Sequence, residues 1–89
     1  MKYPRTLRGT ANGSVSTETL LQYAKYLASE IVTISNGNRT YTASIIENWR
    51  YLDGDFEFTF TEGALEFIQE TDDPRGDIVK VLFAEVQSK

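Results

Sequence analysis

The sequence predicts an α+β fold in which one N-terminal amphipathic helix precedes four or five antiparallel strands. Between Thr17 and Ser29, apolar residues recur every three to four positions, which is the period of a helix with one buried face. From Ile31 onward, β-branched and aromatic residues dominate, and Gly-containing turn sequences separate them. We therefore expect a strongly bent antiparallel sheet, or a small barrel, packed against one helix.

The chain begins with a polar segment. Residues 1–15 contain Pro4, Gly9 and the turn sequence Asn12-Gly13, so we expect a flexible arm or an edge strand there. The helix follows directly. Ser16 is its predicted N-cap, because a serine hydroxyl accepts a hydrogen bond from a free amide of the first turn. Glu18 in that turn suits the positive end of the helix dipole.

Three strands are predicted after the helix. Ile31–Ile34 and Thr40–Ile46 flank Asn36-Gly37-Asn38, and this pattern is typical of a hairpin. Asp53-Gly54 supplies a second turn. The segment Phe56–Thr61 then alternates strictly, so that its three phenylalanines share one face of a strand and its polar residues share the other.

The sequence of the last third of the chain does not distinguish clearly between strand and helix. Ala64–Gln69 fits a short strand or a helical turn equally well. Ile78–Val86 also fits two patterns, and we favour a strand because the segment is rich in β-branched residues. A helix followed by a strongly bent sheet or barrel is also the architecture of some SH3-like and Sm-like domains. That likeness concerns architecture alone and implies no function.

Composition excludes several classes of site. At 89 residues, the chain is long enough for a single small domain, residues 1–89. It contains no Cys and no His, so thiolate zinc sites, redox thiols and histidine bases are excluded. No phosphate-binding glycine loop or nucleophile motif occurs. We therefore expect a cytoplasmic binding protein, not an enzyme, with no cofactor, no metal and no membrane span (host cytoplasm if the source is viral).

Charge is distributed unevenly along the chain. Residues 1–52 carry six basic and three acidic side chains, whereas residues 53–89 carry three basic and ten acidic ones. From Asp53 to Asp73 there are eight carboxylates and no Lys or Arg. Such a surface would attract a basic or nucleic-acid-binding protein. The predicted protein-binding residues are Asp53, Asp55, Glu57, Glu62, Glu66 and Glu70. The main hypothesis is therefore a small inhibitor or adaptor of the type that phages and other mobile elements encode.

Two alternatives remain open. Aromatic and basic residues on the predicted strands could stack against bases and contact phosphates, as in an oligomeric nucleotide- or nucleic-acid-binding barrel. The residues of that alternative site are Arg39, Tyr41, Trp49, Arg50 and Tyr51. The second alternative is a structural subunit of a virion or another assembly. A homo-oligomer is compatible with all three hypotheses, because a domain of this size gains stability from association.

Overall fold

A four-stranded antiparallel sheet and a separate two-stranded hairpin surround a core to which three helices contribute. The computed structural model describes residues 3–88. In chain order, the elements are β1 (Thr6–Ala11), α1 (Thr17–Ser29), β2 (Ile31–Asn36), β3 (Arg39–Ser44), β4 (Ile46–Leu52), β5 (Asp55–Phe60), α2 (Ala64–Glu70), α3 (Gly76–Glu85) and β6 (Val86–Ser88). The main sheet has the order β4-β5-β1-β6, and β2 pairs only with β3. The α+β class is confirmed, but residues 3–88 form two sheets and no closed barrel.

Strand β1, which precedes α1, corrects the expectation of a flexible arm within residues 1–15. β1 pairs with β5 over Thr6–Thr10 and with β6 over Gly9–Ala11, so it is an ordered strand of the main sheet, and only its second half has a strand on both sides. Leu7 is buried opposite Phe58. Leu7 is the only large apolar residue of this strand, which is too few to give a recognisable pattern. Both partner strands come much later in the chain, so the neighbouring sequence does not indicate the pairing. Met1 and Lys2 of the predicted arm lie outside the described residues.

Helix α1 follows its prediction. Its apolar positions Leu20, Ala24 and Leu27 are fully buried. The Ser16 hydroxyl accepts a hydrogen bond from the Thr19 amide at 3.1 Å, which confirms the predicted N-cap.

Both predicted turns join antiparallel strands. The β2–β3 turn has Gly37 at a φ of +64°, and the β4–β5 turn has Asp53 and Gly54 at +52° and +87°. Positive φ values at these positions give a turn whose twist matches that of the flanking strands. The alternation in β5 is also confirmed, because Phe56, Phe58 and Phe60 are all buried.

The C-terminal segments are helical. Ala64–Glu70 forms α2, which settles the ambiguity over residues 64–69. Residues 76–85 form α3, so the strand predicted over Ile78–Val86 is wrong except at Val86, where the short strand β6 begins. The buried residues of α3, Val79 and Leu82, are three positions apart. Tertiary packing on the sheet therefore outweighed the β propensity of this segment.

The two faces of the main sheet differ. Its inner face carries the three β5 phenylalanines, which form one hydrophobic cluster with buried residues of α1, α2 and α3. Its outer face carries polar side chains, among them the exposed Arg8 and Arg50. No helix within residues 3–88 is long and apolar enough to cross a membrane.

Candidate functional site

The six carboxylates predicted to form one acidic surface occupy two separate places. Asp53 lies in the β4–β5 turn, and Asp55 and Glu57 follow on β5. Glu57 lies on the outer face of the sheet, where its carboxylate is 3.1 Å from Nε of Arg50 and 3.7 Å from Nε of Arg8. Two cations thus offset the charge of Glu57, so this half of the predicted surface is not a free acidic patch.

The other three carboxylates, Glu62, Glu66 and Glu70, lie along α2 and the residues just before it. Glu66 and Glu70 are four residues apart on the helix, so they lie on the same face about one 5.4 Å turn apart, and Glu62 lies just before the N-cap residue Gly63. Among residues 3–88, no Lys or Arg forms an ion pair with any of the three. They are also exposed, so this row of negative charge faces solvent.

A groove runs between this acidic row and the β2–β3 hairpin. Its volume is about 440 Å³, within the range typical of ligand sites. Its lining residues are Ile34, Ser35, Tyr41, Glu62, Gly63, Glu66, Phe67 and Glu70. The three carboxylates therefore share one concave surface with two aromatic rings and one aliphatic side chain.

Gly63 sets the position of the hairpin against α2. It precedes the helix with a φ of +87°, in the left-handed region that glycine adopts readily. A Cβ atom there would lie 3.1 Å from Cγ2 of Ile34, so only glycine lets the hairpin approach this closely. The Tyr41 hydroxyl donates a hydrogen bond to the Glu62 carbonyl at 3.2 Å. Both contacts fix the hairpin wall at the start of α2.

Arg5 lines a neighbouring pocket together with Glu62 and Glu66. Its Nη2 atom donates to Oε1 of Glu47 at 2.6 Å and its Nε atom to the carbonyl of Phe60 at 3.0 Å. The hydrogen bond with Glu47 raises the pKa of Arg5, and the charge of Glu62 raises it to a smaller extent. The guanidinium is therefore held mainly by Glu47 and leaves the groove carboxylates without a direct partner.

The residues of the alternative nucleic-acid site do not share one surface. Arg39 and Tyr41 lie on β3, whereas Trp49, Arg50 and Tyr51 lie on β4, and these two strands belong to different sheets. Trp49 and Tyr51 are on the inner face, opposite Phe58 and Phe56.

Contacts within the sheet explain this placement further. The Tyr51 ring packs 4.6 Å from the ring of Phe56, and Trp49 packs against the core. Arg50 is directed to the outer face beside Glu57. Period-two alternation separates Arg50 from its two aromatic neighbours, which is the reason that three consecutive residues cannot act together.

Arg75 is an important residue that the sequence analysis did not identify. Its guanidinium bonds both carboxylate oxygens of Asp73 at 2.8 and 2.9 Å, and its Nη1 atom donates to Glu30 and to the Ile31 carbonyl, each at 3.1 Å. Arg75 thereby connects the corner between α2 and α3 to the start of the hairpin through hydrogen bonds. These contacts raise the pKa of Arg75, chiefly through Asp73. Only the short spacing from Asp73 to Arg75 was visible in the sequence.

Acid is expected to break the ion pair between Arg75 and Asp73. Hydrogen bonding from Arg75 lowers the pKa of Asp73 below its ordinary value of about 3.9. The stabilisation is therefore complete above that value and is lost as the pH falls through the lowered pKa. We expect Asp73→Asn to lower the free energy of unfolding by about 1 kcal/mol at neutral pH and by progressively less below about pH 4. Urea unfolding across this pH range measures the difference.

An Arg75→Gln background provides the control for this prediction. In that background the Asp73→Asn change should lose most of its effect and its pH dependence, because the partner is absent. A difference between wild type and Asp73→Asn that stayed constant down to pH 2 would contradict the assignment.

Within residues 3–88, no group of three or more Asp, Glu, His or Cys side chains has a geometry that could hold a metal ion. The groove carboxylates are thus arranged as a row and not as a coordination cluster. A row of this kind can bind cationic side chains and stabilise contact with a basic surface of another molecule. No protein-family model, curated protein or solved structure matches the chain.

Proposed function

We propose that the chain is a non-enzymatic protein-binding domain that holds a basic segment of another protein in the groove between the β2–β3 hairpin and α2. One observation carries the proposal: Glu62, Glu66 and Glu70 line a single groove, and none of them is paired with a cation among the described residues. Such a role suits a small inhibitor or adaptor that covers a basic surface of its partner.

The apolar part of the groove supports a protein partner over a simple counter-ion. Exposed ion pairs are worth only about 0–1 kcal/mol each, so three carboxylates alone would bind weakly. Lys and Arg, however, have long aliphatic stems that pack on apolar surface while their charged ends stay hydrated. The half-buried Phe67 offers that surface, and the exposed Tyr41 ring can additionally attract a cation through its face.

The charge of the groove also bears on the rate of binding. An acidic groove speeds the encounter with a basic segment, and this steering weakens as salt screens the charges. We therefore expect association to slow as salt rises, with a smaller effect on dissociation.

The test neutralises the groove without changing its shape. The triple variant Glu62→Gln, Glu66→Gln, Glu70→Gln keeps the size of each side chain and removes three charges. We expect it to bind a short synthetic peptide, in which Arg alternates with Thr, at least about tenfold more weakly than wild type, the equivalent of about 1.4 kcal/mol. Isothermal titration at low salt measures both affinities.

A matched triple variant controls for total charge. Glu18→Gln, Asp53→Asn and Asp77→Asn remove three exposed carboxylates that do not line the groove. We expect this control to bind the peptide within about twofold of wild type, because distant exposed charges are largely screened. Equal losses in the two triple variants would reduce the effect to net charge and would remove the case for the groove.

A further inference from the structure

The β2–β3 hairpin has an open backbone edge beside the groove. The two strands are joined by a two-residue turn, Gly37-Asn38, with Asn36 opposite Arg39. In a hairpin of this type, the pair next to the turn is hydrogen-bonded and the bonded pairs then alternate. The backbone groups of Ile31, Thr33 and Ser35 are therefore directed away from β3.

Two contacts agree with this alternation. The Ile31 carbonyl accepts a hydrogen bond from Arg75, and the carbonyl of its cross-strand neighbour Ser44 accepts one from Thr61. Both acceptors belong to the pair that should point out of the hairpin. Further along β2, the backbone N–H and C=O groups of Thr33 and Ser35 have no hydrogen-bond partner outside the hairpin among residues 3–88.

This edge lacks the usual protection. Natural proteins shield exposed edges with charged residues, proline or bulges. β2 has the sequence Ile-Val-Thr-Ile-Ser-Asn, which contains none of these, and its pairing with β3 is regular throughout. A regular uncharged edge is suited to accept another strand.

The open edge of β2 reaches the acidic groove at Ser35. Ser35, whose backbone is directed outward, lines the groove together with Glu66 and Glu70. One wall thus offers backbone donors and acceptors, and the other offers carboxylates. These are the two features needed to bind an extended chain with basic side chains at alternate positions.

We infer that the basic segment binds as an added strand on β2, with backbone hydrogen bonds to Thr33 and Ser35 and with alternate basic side chains directed toward Glu66 and Glu70. This inference rests on the proposed function and specifies the conformation of the partner. Alternate residues of a strand are about 6.6 Å apart and successive turns of α2 about 5.4 Å, a difference that long Lys and Arg side chains accommodate.

The protein test uses two proline variants. Ser35→Pro removes an outward N–H without removing a bond between β2 and β3, and Thr40→Pro does the same on the opposite strand, since Thr40 is the cross-strand neighbour of Ser35. Titration with the alternating Arg-Thr peptide should show a loss of about five- to tenfold for Ser35→Pro, as for one lost hydrogen bond. Thr40→Pro should change the affinity less than about twofold, since its edge is not part of the groove.

A peptide test with the wild-type protein decides the question even if a proline variant fails to fold. N-methylation of every second backbone amide removes the donors on one edge of the peptide. Methylation on the edge facing β2 should abolish binding, and methylation on the other edge should leave it unchanged.

The outcomes separate the two proposals. If the peptide binds and the groove triple variant weakens it, but both methylated peptides bind equally, strand addition is overturned and the proposed function stands. If the wild-type protein does not bind the peptide and the groove triple variant behaves in the same way, the proposed function itself fails. A dimer joined through β2, detected by light scattering and abolished by Ser35→Pro, would mean that a second copy occupies the edge and would also overturn the inference.

Discussion

Phe58→Ala is expected to lower the free energy of unfolding by about 3–5 kcal/mol, the largest effect that we predict for a single substitution. Phe58 is fully buried in the centre of the main sheet, with Leu7 opposite it on β1 and Trp49 opposite it on β4. Its ring centroid lies 5.6 Å from that of Phe56. The surrounding strands cannot close the resulting cavity, because they are held by hydrogen bonds on both sides. Urea denaturation followed by circular dichroism measures the loss.

The next residue on the same strand supplies the control. Thr59 lies on the outer face of β5, so Thr59→Ala removes atoms from a partly exposed position. We expect a loss below about 1 kcal/mol, as for most substitutions outside the core. Similar losses at both positions would show that the inner face of this sheet is not the main core.

Gly63→Ala is expected to cost about 2–5 kcal/mol and to loosen the hairpin wall of the groove. One part is backbone strain, about 1–2 kcal/mol for a residue with a side chain in the left-handed region. The other part is the approach of Ile34, whose Cγ2 atom lies 3.1 Å from the position of the added methyl group. Ile34 is buried and β-branched, so it has little freedom to move aside, and overpacking of this kind typically costs about 1–3 kcal/mol.

Gly54→Ala isolates the packing contribution. Gly54 has the same φ, +87°, but no atom lies within 4 Å of an added Cβ. Its substitution should therefore cost only the backbone part, about 1–2 kcal/mol, and should leave peptide binding unchanged. If the two glycine variants lost the same stability, close packing of the hairpin on α2 would be refuted.

Local patterns predicted most of the elements in the first two thirds of the chain. α1, the hairpin, the second turn and β5 each carry their periodicity and their turn residues within a few positions, so the sequence specifies them locally. β1 and α3 are different. β1 is defined by pairing with strands that come about 50 and 80 residues later, and α3 is a β-rich segment that becomes helical by packing on the sheet.

The candidate site illustrates the same distinction. The acidic run was visible in the sequence, but its division was not, because it depends on where a strand ends and a helix begins. Glu57 points to the outer face of a strand, where it meets Arg50. Glu66 and Glu70 lie one turn apart on α2, and Glu62 lies just before its N-cap, so all three line one groove.

The groove residues that the sequence analysis did not include are apolar or small. Ile34, Ser35, Gly63 and Phe67 carry no charge and belong to no motif, so only the packing of the hairpin on α2 identifies them. Tyr41 was noticed as an aromatic residue on a strand but was assigned to a nucleic-acid site. In the structure, its hydroxyl contacts the backbone of Glu62 instead.

The most direct test of the proposed binding site is a titration of ¹⁵N-labelled protein with the alternating Arg-Thr peptide, followed by two-dimensional NMR. We predict amide shift changes concentrated at Ser35, Tyr41, Glu66 and Phe67, with little change on the outer face of the main sheet. Changes concentrated around Arg8, Arg50 and Glu57, with the α2 amides unaffected, would contradict the assignment of the groove as the binding site.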